Sequence, residues 1–252
     1  MLALVLDRSH ACLLEDGRVP EVAVDGPRPL LAVEARFAGL GVDLPSTAGS
    51  RGRGDGAGRD FVFVGDRFAA PAGMAWRPLR EAGDDAWGLY VACMLGGWEP
   101  PVRAIDVWSF GDEPEMASRL AHLVACGEKR VTVGWIAASA RSGTPLAYPG
   151  GVSVVTDGYG YPRLVLRTAE VRELPFAAID AATAAGEGEG DLTYEDWRAA
   201  HEAYFDAEAR RHGLAFDESA LISVERFEVL HVVGRADIPP RAVPGESGWA
   251  SR

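Results

Sequence analysis

Residues 122–135 read HLVACGEKRVTVGW and place Thr132 three positions after Lys129. Lys129 is the only lysine in a chain whose lysines and arginines total 25. Arginine serves as well or better wherever only positive charge or a phosphate contact is needed. Lysine differs because burial can bring its proton exchange toward neutral pH. A single retained lysine beside a hydroxyl therefore points to proton chemistry. A threonine hydroxyl is a weak nucleophile and needs a base. Further along, AAGEGEGD sets Glu187, Glu189 and Asp191 at alternate positions. Such carboxylates can hold a hard cation, but more often they form a solvated loop before a helix, favoured by its dipole. No metal and no cofactor is expected.

The elements around these residues must position them. Asp112 is placed to cap a helix, Pro114 suits its first turn, and Glu115 stands three residues after the cap. Met116, Leu120, Leu123 and Val124 form one apolar face, and Gly127 is the expected C-terminal stop. RVTVGWI then alternates, with Val131, Val133 and Trp135 on one side and Arg130, Thr132 and Gly134 on the other. Lys129 thus falls at a helix-to-strand corner. Strands are expected in GVSVVTDG, PRLVLRTAEVREL and LISVERFEVLHVV, and a helix in LTYEDWRAAHEAYFDAEARRHG, capped through Thr193 and Asp196 and stopped at Gly213. His201 lies on the Trp197–Tyr204 face of that helix, where a hydrogen-bonded core role is the usual one. DGYGYP, which contains Asp157, is a turn without phosphate-loop spacing.

The first hundred residues read as strands in LALVLD and HACLLEDGRVPEVAV, with Asp16-Gly17 as a hairpin turn. A helix through Val33 and Phe37, a flexible Gly/Ser/Arg loop over 46–59 and a strand in DFVFVG follow. DDAWGLYVACMLGG suits a short helix or a strand equally, and WEPP at 98–101 marks a boundary. The expected organisation is a small sheet-and-helix domain over 1–100, a mixed barrel with flanking helices over 104–234, and a disordered Pro/Gly-rich tail over 235–252. The fold class is α+β.

A net charge of −12 carries no basic footprint for duplex DNA or long RNA. Cys12, Cys93 and Cys126 are odd in number and far apart, which suits free thiols in a reducing compartment. No run has the length of a membrane span, and a cytoplasmic location is expected.

The stretch from about 106 to 233 resembles an ASCH domain, of the PUA-like superfamily, in the words WSFGDEPEMASRLAHLVACGEKRVT with its G-x-K core, SVVTDGYGYPRLVLRTAEVRELPF, EGEGDLTYEDWRAAHEAYF and VERFEV. The resemblance implies a β-barrel with a cleft lined by the G-x-K segment, and small nucleosides, nucleotides or short RNA as ligands. Some small bacterial members are amidohydrolases on acetylated cytidine that use a lysine, a threonine three residues later and a distant glutamate. Those positions match Lys129, Thr132 and Glu187 as the catalytic set, with Lys129 as base. Those enzymes carry an arginine where Gly134 stands, so Arg130 or Arg141 is left to supply that substrate contact, with Asp157 as a further binding candidate. Backbone amides near Gly127 are candidates for an oxyanion site. The resemblance implies a hydrolase on a modified or acylated nucleoside; the alternatives are a non-enzymatic RNA or nucleotide sensor and a ribonuclease. The first part resembles a degenerate Nudix domain, whose helix reads EARFAGLG. Glu34 alone is too few carboxylates for the magnesium ions of that chemistry.

Overall fold

The structure is a computed structural model that describes residues 2–7, 10–16, 18–22, 29–45, 47–52 and 59–234. The stretch 235–252, Gly17 of the expected hairpin, and Ser46 and 53–58 of the expected loop lie outside these residues.

The first part comprises β1 (Ala3–Asp7), β2 (His10–Leu14), α1 (Pro29–Ala38), β3 (Thr47–Gly52), β4 (Arg59–Val64), β5 (Met74–Pro78) and α2 (Asp84–Met94). The strands form a sheet of order β3-β4-β1-β2-β5, in which only β1 and β4 run parallel. Alternation along the central strands serves two apolar layers. Leu4, Leu6, Leu13, Val62 and Val64 pack with Leu89 and Tyr90 of α2. Ala3, Val5, Cys12, Phe61 and Phe63 pack with Val33 and Phe37 of α1. A strand buried on both faces reads as a continuous apolar run, as LALVL does. The segment expected as a flexible loop differs. Thr47–Gly52 is a strand paired with β4, and Gly49 sits where a Cβ would come within 2.9 Å of the Cys93 Cβ. Small residues there let α2 lie close to an edge strand that apolar patterning does not betray. α2 settles the helix-or-strand alternative at 84–94.

The second part comprises β6 (Asp106–Ser109), α3 (Pro114–Cys126), β7 (Val131–Trp135), α4 (Ile136–Ser142), β8 (Val152–Thr156), β9 (Pro162–Pro175), α5 (Ala181–Glu187), α6 (Tyr194–His212) and β10 (Leu221–Val232). The sheet order is β6-β8-β9-β10-β7, curled into a half-barrel. β9 and β10 are long strands whose pairing shifts register at Arg226/Phe227 and at Val229/His231. Bulges of this kind bend a strand and increase its twist. α3 closes one face with Leu120, Ala121 and Val124 against Val155, Leu164, Leu166 and Phe227. α6 closes the other with Trp197, Phe205 and Ala209 against Val131, Trp135, Ile222 and Val224.

The two sheets share a core. Val107, Val152, Val154 and Val165 of the second sheet pack into the same apolar cluster as Leu4, Leu89 and Tyr90 of the first. Arg80–Asp106 and Arg103–Asp84 ion pairs, each 3.1 Å, join the two parts at the rim.

One expected cap is corrected. The N-cap of α3 is Glu113, with no side-chain capping bond, and Asp112 instead accepts from Arg211 of α6 at 2.6 Å. A guanidinium offers Asp112 a charged donor, and that pairing wins over the neutral backbone amide. The other expected ends hold: Pro114 starts α3, Gly127 ends it at φ 78°, and Thr193 caps α6 by accepting from the Asp196 amide.

Candidate functional site

Lys129 owes its place to how α3 stops. Gly127 adopts the left-handed conformation, and the amides of Glu128 and Lys129 both donate back to the Leu123 carbonyl. The Gly127 amide bonds Leu123 and Val124, and the Arg130 amide bonds the Gly186 carbonyl at 2.9 Å. The backbone donors expected to form an oxyanion site near Gly127 are therefore already committed to closing the helix and docking α5. Chain reversal this tight consumes its own amides.

The segment GEGEGD is not the simple solvated loop its composition suggests. Asp180 caps α5 by accepting from the Thr183 amide, and Glu187 is the last residue of that helix. Its glycines allow close approach. A Cβ on Gly186 would lie 2.8 Å from Val131, and one on Gly188 (φ 66°) would lie 2.7 Å from the Glu128 carbonyl oxygen. Backbone thus packs directly on the Glu128–Lys129 corner, and two acidic side chains converge on one amine. Lys129 Nζ donates to Glu187 Oε2 at 2.5 Å and to Glu189 Oε1 at 2.6 Å. Lys129 is 1% exposed and Glu187 2%. The ammonium also stands 5.3 Å from the centre of the Phe110 ring.

α6 completes the surroundings of Glu187. The Trp197 indole Nε1 donates to Glu187 Oε1 at 2.9 Å, and His201 Nε2 lies 3.3 Å from the same oxygen. His201 Nδ1 is 2.9 Å from the Trp197 carbonyl, and the two rings stack at 4.3 Å. Burial alone would push the Glu187 carboxyl up, but Lys129 and His201 outweigh it and hold the group well below the usual carboxylate range. Burial likewise disfavours the charged imidazole of His201, yet the bond to Glu187 raises it on balance. The result is a charge-balanced cluster whose central carboxylate has both oxygens occupied. Lys129 Nζ is thus shared between two carboxylates.

Thr132 stands apart from this cluster. It is half-buried on β7, opposite Glu225 of β10, and makes no side-chain hydrogen bond among the described residues. The structure thus joins Lys129 to Glu187 and leaves Thr132 on the neighbouring strand surface. Arg130 is exposed, its Nε donating to the Gly127 carbonyl at 2.8 Å, and Arg141 is exposed in the last turn of α4. Asp157 is buried and fully used in its own turn, accepting from the Tyr159 and Tyr161 amides at 2.9 and 3.0 Å and from Arg163 at 3.0 Å. Its carboxylate builds the DGYGYP turn.

Three residues of this region were not singled out from sequence as binders or catalysts, Trp197, Thr168 and Glu225, and Glu189 was weighed only as a cation ligand. The alternating Gly-Glu pattern was the available signal for Glu189, and the four-residue spacing of Trp197 and His201 on one helix face was the signal for Trp197. Glu225 was hidden in β10, where its neighbours Arg226 and Glu228 make it read as one of several solvated charges. No cluster of three or more His, Cys, Asp or Glu side chains is arranged to hold a metal among the described residues. No helix among them is long and apolar enough to cross a membrane.

The model of the ASCH domain family matches residues 106–231. Among solved structures, an ASCH domain from Lactobacillus crispatus is 25% identical, covering 54% of this chain and 88% of its own, with a TM-score of 0.48. A protein of Enterococcus faecalis is 28% identical, covering 50% and 76%, with a TM-score of 0.46. No curated protein matches the chain. The family match begins at residue 106, so the Nudix-like resemblance of the first part rests on its sequence order alone.

Proposed function

The chain belongs to the ASCH domain family, and from that premise we propose that it is a hydrolase acting on an acylated or otherwise modified nucleoside or nucleotide. Thr132 is the nucleophile in this reading, and the Lys129–Glu187 pair supplies fixed charge to the site. The observation that carries it is the meeting of the sole lysine with a glutamate 58 residues away, at 2.5 Å and out of solvent. A chain that uses arginine everywhere else has kept lysine at a site closed to solvent. Glu189, whose side chain is 26% exposed, is the partner an incoming ligand oxygen would displace from Lys129. Exposed Arg130 and Arg141 supply cations for a phosphate or ribose.

A second reading is a non-catalytic binder of a nucleotide or short RNA. The ion pairing of Glu187 favours it, since Lys129 and His201 hold that carboxyl well below the usual carboxylate range and so disfavour its taking up a proton. The −12 charge argues against long RNA in either case.

A hydrolysis screen over acylated and modified nucleosides separates the two. Turnover that Thr132→Ala removes supports the hydrolase. A nucleotide that binds without turnover supports the sensor. Lys129→Arg is expected to lower activity through loss of the enclosed pair; full activity in that variant would show that the lysine is dispensable as such.

A further inference from the structure

The face of the second sheet that carries Thr132 holds another carboxyl. Glu225 of β10 is paired with Thr132 of β7 on one side and with Val171 of β9 on the other. Directly opposed residues on antiparallel strands share a face, with Cβ atoms about 4.5–5.5 Å apart. The Thr132 hydroxyl and the Glu225 carboxyl are therefore within reach of one another. The buried Thr168 hydroxyl donates to Glu225 Oε1 at 2.6 Å, which fixes the carboxyl and leaves its second oxygen for another partner. Two pairs further along, on the same face, stand Gly134 and Ser223, and a Cβ on Gly134 would meet nothing within 4 Å. Space for a ligand thus opens beside the hydroxyl.

We propose that Glu225 is the group that takes the Thr132 proton and returns it to the leaving nitrogen. The assignment rests on the hydrolase reading above. The Thr132 Oγ–acyl carbon bond forms as the hydroxyl proton passes to the Glu225 carboxylate. Glu225 gives that proton to the amine nitrogen as the carbon–nitrogen bond breaks. Water then attacks the ester, losing its proton to Glu225, and Thr132 regains a proton as the carboxylic acid departs. Lys129 and Glu187 remain a fixed ion pair throughout.

The electrostatics agree with the geometry. Burial pushes the Glu225 carboxyl up, against the smaller downward pull of the Thr168 hydroxyl. The groups around it are Thr132 from β7 and Thr168 and Val171 from β9. Arg226, next in sequence, points to the opposite face of the strand, and Glu173 lies two pairs away, opposite Ser223. A carboxyl displaced upward from the ordinary glutamate range is better matched to proton transfer at neutral pH.

The test is hydrolysis of a panel of acylated nucleosides, followed from pH 5 to 9, by wild type, Thr132→Ala, Glu225→Gln and Thr168→Val. We expect wild-type kcat/KM to rise with pH through one ionisation. Glu225→Gln should lower kcat by about 10²–10⁴-fold, the usual range for a lost general base, with KM little changed and the pH-dependent rise gone. Thr168→Val keeps the carboxyl but removes the downward pull, so its rise should move to higher pH; this arm decides the matter if Glu225→Gln does not fold. Wild-type kcat and pH profile in Glu225→Gln, with Thr132→Ala inactive, would overturn the role of Glu225 and leave the hydrolase standing. An unmoved rise in Thr168→Val would overturn it too. A wild type that hydrolyses no member of the panel would overturn the hydrolase reading and this assignment together.

Discussion

Glu187 and Glu225 are two glutamates of one half-barrel that burial treats alike and their partners treat oppositely. Glu187 is surrounded by an ammonium, an indole N–H and an imidazole, and is held as a carboxylate. Glu225 has one hydroxyl and no charged partner, and is pushed toward its neutral form. Two carboxyls whose environments drive them apart divide the work of charge and proton between them. The one with full coordination can only hold its place. The one with a free oxygen can exchange a proton.

The largest effect expected from disturbing this division is on stability. Lys129→Met leaves Glu187 and Glu189 without their shared ammonium and only His201 beside Glu187, and breaking a buried pair from one side costs about 3–5 kcal/mol. Denaturant unfolding at pH 7 should show that loss, and adding Glu187→Gln should recover part of it. A loss under about 1 kcal/mol would mean the pair is not buried as described. Gly188→Ala should cost less, about 1–2 kcal/mol for a left-handed residue with a Cβ, plus whatever the contact with the Glu128 carbonyl adds. Its unfolding midpoint, read beside that of Gly213→Ala at an open left-handed position, isolates the contact.

The smallest effects are in pH dependence, and their signs differ. The depressed Glu187 contributes stability that is present above its unfolded value, near 4.5, and is lost as pH falls through its folded value. The raised Glu225 contributes stability that is complete below the same 4.5 and is lost as pH rises through its folded value. Urea midpoints from pH 3 to 8 should therefore lose their acid-side decline in Glu187→Gln and part of their decline above pH 5 in Glu225→Gln. Parallel curves for both variants would erase the distinction.

Much of the second half could be read from its sequence because local chemistry agreed with the fold. Pro114, Gly127, Thr193 and Gly213 mark ends that the structure reproduces, and the alternation of Val131 and Trp135 marks the buried face of β7. Asp112 misled because its strongest partner, Arg211, is 99 residues away. β3 was missed because TAGSRG has no apolar period; its strand state comes from pairing with β4. The Lys129–Glu187 contact was legible only through family resemblance, and its meaning changed once Glu189 was seen on the same amine. Residue types located the amine. Only three-dimensional coordination shows that two carboxylates share it.

Lys129 being 1% exposed and the only lysine has a practical side. The folded protein presents no accessible side-chain amine. Acylating labels, aldehyde crosslinkers and enzymes that modify lysine all need the corner between α3 and β7 to open before they reach this side chain. Labelling of this one residue is thus a clock for local opening of the site, with no background from other lysines, and a ligand that closes the cleft should slow it.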